Sequence, residues 1–306
     1  LKCIPVTIQK VSKDFVLVVV PPQTPPPSPN INLQSGKYAY GTVINFQLPA
    51  GLAAKSTNST PVTIEYMWDY DNTWKSGTKV DLKKSGALSV RARQGTLTSE
   101  VQKLDYQLVY KQVLLVGNSI TQHGPHPPIN WTGNWGMAAS AADKDYKSTL
   151  ERYLQATKQD TKVKIFPTAR IENDFNNYDW EDQVKVWQST FEETDLIVLR
   201  LGENVKDWQI PGSNYKQVMI RYINMIKQNP SARVVITSVF WDGFPNTNAV
   251  LKEIADENGY DWVSLIEIGK DSSNYAYGLF TDPGVAKHPN DKGMKAIADL
   301  IYEKVK

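Results

Sequence analysis

Residues 113–121 read Val113-Leu114-Leu115-Val116-Gly117-Asn118-Ser119-Ile120-Thr121: four apolar side chains in a row, then a glycine, an amide and a hydroxyl. A strand with one wet face alternates apolar and polar residues, so an unbroken short run suits a strand buried on both faces. Val163-Lys164-Ile165-Phe166, Leu196-Ile197-Val198-Leu199 and Val234-Val235-Ile236-Thr237 read the same way. Between these runs, Tyr146 to Leu154, Val218 to Ile226, Ala249 to Ala255 and Met294 to Ile301 repeat apolar residues at spacings of three and four. That is the period of a helix with one buried face. Strands alternating with helices predict an α/β fold in which a mostly parallel sheet is covered on both faces, with right-handed connections.

Upstream the pattern changes. Pro21, Pro22, Pro25, Pro26, Pro27 and Pro29 favour extended polyproline conformation, which makes segment 21–29 a stiff connection. Beyond it, Val62-Thr63-Ile64-Glu65-Tyr66-Met67-Trp68 and Leu88-Ser89-Val90-Arg91-Ala92-Arg93 alternate between glycine turns. Period-two alternation with regular turn signals predicts a small antiparallel β-sandwich. The expected boundary falls at residue 110, with a β-sandwich over 1–110 and the α/β domain over 111–306. Charge divides there too: 12 basic and 7 acidic residues before it, 22 and 25 after it. The stretch from Ile64 to Arg93 resembles the immunoglobulin-like modules appended to many bacterial carbohydrate-active enzymes, which implies a spacer, a docking platform or a sugar-binding module.

With 34 basic and 32 acidic residues among 306, the net charge of +2 gives no broad positive field for nucleic acid or an anionic membrane surface. The apolar run Phe15 to Val20 stops at Pro21, far short of the roughly 20 residues that span a bilayer. A single Cys3 makes neither an intrachain disulfide nor a thiolate zinc cluster. Leu1 in place of Met leads us to expect a removed leader and hence export, and the resemblance of Ile64 to Arg93 to bacterial modules implies a bacterium, with the periplasm or the outside as destination.

In an open parallel sheet, ligands bind beyond the carboxyl ends of the strands. Three such places carry chemistry: Gly117-Asn118-Ser119, then Gly202-Glu203-Asn204, and His288-Pro289-Asn290 ahead of the last helix. A serine becomes a nucleophile only beside a base, with donors aimed at the oxyanion that forms on attack. Ser119 would attack, His288 would take its proton, and Asn204 would offer its amide to the oxyanion. Gly117 would allow the sharp exit from the strand.

These segments, Gly-Asn-Ser, Gly-x-Asn and His-Pro-Asn in that order, resemble the SGNH/GDSL hydrolase superfamily of esterases and lipases over residues 111–306. The stretch from Gly117 to Pro125 with Trp135 to Ala141 resembles an exported bacterial branch of it. The resemblance implies a three-layer α/β/α sandwich, hydrolysis of acyl esters without a cofactor, and a Ser-His-Asp triad or a reduced dyad. Two positions depart from the pattern. Where the superfamily has a glycine whose N–H joins the oxyanion hole, this chain reads Pro167-Thr168-Ala169-Arg170, leaving the N–H of Ala169 or Arg170 for that role beside that of Ser119. The usual acid position, three before the histidine, holds Val285; Asp282 lies six before, so the acceptor that orients His288 is Asp282 or a backbone carbonyl.

The loop after Ser119 holds His123, Trp131 and Trp135, which could wall a substrate cleft or pin the loop by burial. Arg170 and Arg200, at strand exits, could hold a substrate carboxylate or support Glu172 and Glu203. The histidine spacing offers no metal motif. The expectation is a serine esterase acting on a small-molecule or carbohydrate ester, an acetylated carbohydrate first among them. The alternative is a sugar-binding protein on a hydrolase fold that has lost turnover.

Overall fold

The computed structural model describes residues 7–11, 14–18, 24–50, 60–167, 169–175 and 181–306, without the side chains of 7–18, 167, 169, 170, 181 and 182. Cys3, Pro21 and Pro22 lie outside the described residues. The chain divides into two compact units, one of Leu1–Gly36, Val43–Asp81 and Ser85–Tyr106, the other of Lys37–Thr42, Leu82–Lys84 and Gln107–Lys306.

The strand pairings described within the first unit are antiparallel. Gly86–Gln94 lies between Val62–Trp68 and Gln102–Leu108, and Val43–Gln47 lies between Asn30–Ile31 and Lys79–Asp81. Alternation does what the sequence asks of it. Ile44 and Phe46, then Ile64 and Trp68, then Leu88, Val90 and Ala92 are buried, and between them Glu65 holds Arg91 at 2.8 Å and Arg93 at 2.7 Å.

The second unit is built on five parallel strands: β1 (Gln112–Gly117), β2 (Lys162–Pro167), β3 (Leu196–Arg200), β4 (Arg233–Thr237) and β5 (Asp261–Val263), in the order β2-β1-β3-β4-β5. Its helices are α1 (Tyr146–Thr157), α2 (Ala169–Asn173), α3 (Glu181–Glu193), α4 (Tyr215–Ile226), α5 (Pro245–Asn258), α6 (Ile266–Lys270), α7 (Pro283–Ala286) and α8 (Asp291–Val305). The two faces of β1 feed two cores. Leu114 and Val116 pack with Met219, Ile223, Leu251 and Ile254 of α4 and α5, while Val113 and Leu115 pack with Leu150 and Leu154 of α1 and Ile297 and Ile301 of α8. Each such aliphatic side chain, fully buried, contributes about 1.5–3 kcal/mol, which accounts for an all-apolar run at 113–116.

Helices α1, α7 and α8 start where side chains cap them. The Asp145 carboxylate accepts the Ser148 N–H at 2.7 Å to open α1, and the Asn290 Oδ1 accepts the Gly293 N–H at 3.0 Å to open α8. No helix among the described residues is long and apolar enough to cross a membrane. The order 2-1-3-4-5 makes the chain switch direction across the sheet at β1, so the crevice at the carboxyl ends of β1 and β3 is where such a sheet receives a ligand.

Candidate active site

Two residues beyond β1, the chain turns: the N–H groups of Thr121 and Gln122 both donate to the carbonyl of Asn118, at 2.8 and 3.0 Å. The turn presents Ser119, half-buried, at the crevice. Gly117 serves the turn for lack of space. A Cβ there would stand 1.8 Å from Thr121 Oγ1 and 3.3 Å from the Arg200 carbonyl oxygen.

The Ser119 Oγ lies 2.8 Å from Nε2 of His288, and Nδ1 of the same ring lies 2.8 Å from the carbonyl oxygen of Gly284. A carbonyl only accepts, so Nδ1 carries the proton and Nε2 keeps its lone pair toward the serine hydroxyl. Burial pushes the imidazole down to about 4, against a smaller upward pull from the Gly284 carbonyl. His288 is therefore neutral at pH 7. Trp241 meets its ring edge-on at 5.4 Å between centroids and donates its own Nε1–H to the Lys287 carbonyl.

Asp282 does not reach that ring. Its carboxylate accepts the Val285 N–H at 3.0 Å and caps α7, so the acceptor on His288 is a backbone carbonyl. Asp-Pro at the start of a helix is strong capping chemistry, and it claims the carboxylate.

From the end of β3, Asn204 reaches the crevice half-buried, with Nδ2 donating to Glu172 Oε2 at 2.9 Å. An amide nitrogen carries two hydrogens, so one remains for another acceptor. Glu172, in α2, and Glu203 are both buried. Asn118 divides its two amide hydrogens between them, at 3.1 Å to Glu172 and 2.7 Å to Glu203. Arg200, fully buried, donates to Glu203 and to Asn118 Oδ1, and the Phe240 N–H donates to Glu203 at 3.1 Å. Glu172 is pushed up to about 7, by burial first and then by the charge of Glu203, against hydrogen bonds from Gly202, Asn204 and Asn118 that pull it down. Of the two roles open to Arg200, the buried ion pair with Glu203 is the one it takes.

Ala169 and Arg170 begin α2, and the Arg170 side chain lies outside the described residues. The loop after Ser119 is a small folded layer. His123 bridges Trp135 and His126 bridges Trp131 in antiparallel fashion, and the indole N–H of Trp131 donates to the His123 carbonyl at 3.0 Å. Trp131 is 3% exposed, packed with Met137, Ala138, Ala276 and Val285, so it pins the loop and has no face left for a substrate. Trp135 is half-buried against it, its indole N–H donating to the Ala139 carbonyl at 2.9 Å. His123 stays half-exposed. Asn118, Glu172 and Glu203 were not picked out as site residues from sequence. Position was the signal for two of them, Asn118 directly after β1 and Glu203 inside the Gly-x-Asn segment, whereas Glu172 lies within α2.

Solved structures offer relatives in shape. The chain is similar to a lipolytic protein of the G-D-S-L family from Desulfitobacterium hafniense (15% identity, 63% of this chain and 99% of that one, TM-score 0.41). It is similar to a member of the same lipolytic family from Veillonella parvula (15%, 63% and 96%, 0.36) and to a carbohydrate acetylesterase from Xanthomonas citri (12%, 90% and 75%, 0.37). No family model and no curated protein matches. Overlaps this loose carry no argument about chemistry, which rests on the residues.

Proposed function

We propose that this chain is a serine ester hydrolase of the SGNH/GDSL type, and the single observation that carries the reading is the 2.8 Å approach of Ser119 Oγ to a neutral His288 whose second nitrogen is held by Gly284. Ser119 Oγ attacks the ester carbonyl carbon as its proton passes to His288 Nε2. The oxyanion takes the free amide hydrogen of Asn204 and the backbone N–H groups of Ser119 and of Ala169 or Arg170. Collapse breaks the bond to the alcohol oxygen, which takes the proton from His288 and leaves an acyl group on Ser119. Water then repeats the sequence, giving its proton to His288 and freeing the acid. The orienting partner of His288 is a carbonyl, so the machinery is a dyad.

We read the substrate as an ester of a carbohydrate, with acetyl as the acyl group. Tyr277, 54% exposed, stacks on Tyr275 at 5.0 Å with the rings 7° from parallel, and Ala276 between them donates its N–H to the His288 carbonyl at 2.9 Å. With Trp241 this gives flat aromatic surface beside the base, of the kind sugar rings stack on. We further read residues 1–110 as carrying an immunoglobulin-like module, residues 111–306 as the hydrolase, to which Lys37–Thr42 and Leu82–Lys84 add, and the protein as exported from a bacterium.

A fluorophosphonate probe with adduct mapping tests the reading. Ser119 should be labelled, and Ser119→Ala should lose both the adduct and hydrolysis of a short activated ester. A folded protein with Ser119 unlabelled would leave only the sugar-binding alternative.

A further inference from the structure

Glu172 is costly where it stands. A buried carboxylate must be paired or fully hydrogen-bonded to be tolerated, and the guanidinium of Arg200 is engaged with Glu203 and Asn118 instead. What Glu172 receives is donors from both sides of the crevice. Oε1 accepts from the Gly202 N–H and from Asn118 Nδ2, and Oε2 accepts from Asn204 Nδ2. Asn118 directly precedes Ser119 and supplies the carbonyl that closes the nucleophile turn. Gly202 and Asn204 lie on the neighbouring strand exit, where Gly202 sits at φ +133°, held close to Val239 and Thr247. One carboxylate therefore bridges the nucleophile turn and the segment that carries the amide donor.

We propose that Glu172 is a positioning residue: its carboxylate fixes the side-chain amide of Asn204, so that the second amide hydrogen points to where the oxyanion forms, and holds that amide in register with the Ser119 turn through Asn118. The inference rests on the esterase reading for its consequence and on hydrogen bonds for its geometry. A carboxylate accepts at both oxygens, whereas a glutamine side chain has one acceptor and one donor. Glu172→Gln must therefore fail either the Gly202 and Asn118 pair or Asn204. Keeping the pair on its oxygen turns the glutamine amide toward Asn204 Nδ2, a donor facing a donor, and Asn204 must rotate its amide away. Misplacement of a catalytic group by about 1 Å is enough to cost about 10²-fold.

In the full-length protein, Glu172→Gln should lower kcat on p-nitrophenyl acetate by about 10–10² with KM little changed, because the lost interaction belongs to the transition state. Asn204→Ala should lower it by about 10²–10³. The double variant should be no slower than Asn204→Ala alone, since a residue that acts through Asn204 has nothing left to act on. Wild-type kcat in Glu172→Gln, or losses that multiply in the double variant, would overturn the proposal. A second measurement does not depend on turnover. The charged and titratable groups around Glu172 are Glu203, Arg200 and Tyr215, and Glu172 is the carboxylate bonded to the Asn204 side-chain amide. In nitrogen-15 labelled wild-type protein, the Asn204 side-chain amide pair, assigned by its loss in Asn204→Ala, should be held away from the shift of a free side-chain amide and should move as Glu172 takes up a proton, above the ordinary carboxylate range. An Asn204 amide pair with the shift and solvent exchange of a free side-chain amide at every pH overturns the clamp even if the variant fails to fold. A protein that titrates so, yet neither labels at Ser119 nor hydrolyses the ester, keeps the clamp and loses the esterase reading.

Discussion

Asp282 and His288 are six residues apart, and the short helix α7 lies between them, so the carboxylate is spent on the Val285 N–H while the imidazole turns to the Gly284 carbonyl. Two consequences follow for the pH dependence. Asp282→Asn should leave kcat and its pH profile unchanged, because asparagine caps a helix about as well as aspartate and the ring never depended on the charge. A collapse of kcat in that variant, with the fold intact by circular dichroism, would return Asp282 to the site. The base itself is held down to about 4 from an ordinary 6.5, chiefly by burial. A protonated imidazole cannot take the Ser119 proton, so kcat/KM, already lowered where Glu172 takes up a proton and loosens Asn204, should die on a second acid limb near pH 4. The same shift acts on stability. The unfolded chain takes the proton first, so the contribution of His288 is complete above about 6.5 and is lost as pH falls through the window down to about 4.

At the scale of elements, α8 and its cap decide where His288 sits. Asn290 Oδ1 accepts the Gly293 N–H at 3.0 Å, and Nδ2 donates to the carbonyls of Ser273 and Tyr275 at 2.9 and 2.7 Å. Asn290→Ala should therefore lower stability by about 1–2 kcal/mol, the upper range for a lost cap, read as a lower urea midpoint at unchanged slope. An unchanged midpoint would mean the cap is idle. The strands β1 to β4 and the helices α1, α4, α5 and α8 were legible from sequence because each is a long apolar run or a repeated buried face. β5 was not: Asp261–Val263 has three residues, and its partners alone make it a strand. α3 was readable and was passed over, since Val184, Trp187 and Phe191 keep the helical period and pack toward the sheet. In the candidate site, Ser119, Asn204 and His288 could be read because each follows an element end. Of the Asn118, Glu172, Arg200 and Glu203 network, the support Arg200 gives Glu203 could be read as one of two roles, but the bonds through Asn118 and Glu172 could not, because they close only when three strand exits meet.

For the whole molecule, the second unit is not continuous in sequence. Lys37–Thr42 and Leu82–Lys84 belong to it: the Gly41 N–H donates to the Leu82 carbonyl at 2.9 Å, Arg233 lies over the Tyr40 ring at 4.9 Å from its centroid, and Lys37 Nζ donates to the Thr157 carbonyl. A chain begun at residue 107 keeps Ser119, Asn204, His288 and Glu172 and loses all of these. Arg233 would retain Asp261 at 2.7 Å and the Tyr110 hydroxyl at 2.8 Å, so its charge stays paired even though one face becomes bare. The shortened protein should therefore hydrolyse a small soluble ester at close to the full-length kcat, but unfold at a lower temperature. Tyr40→Ala in the full chain should reproduce part of that loss, about 0.5–3 kcal/mol, the range of most single substitutions, with kcat unaffected. Thermal unfolding beside small-ester kinetics checks both proteins. A shortened chain that folds but no longer turns over the ester would mean that residues before 107 help to build the site, and a Tyr40→Ala protein as stable as the parent would mean that the stability of the second unit owes nothing to that ring.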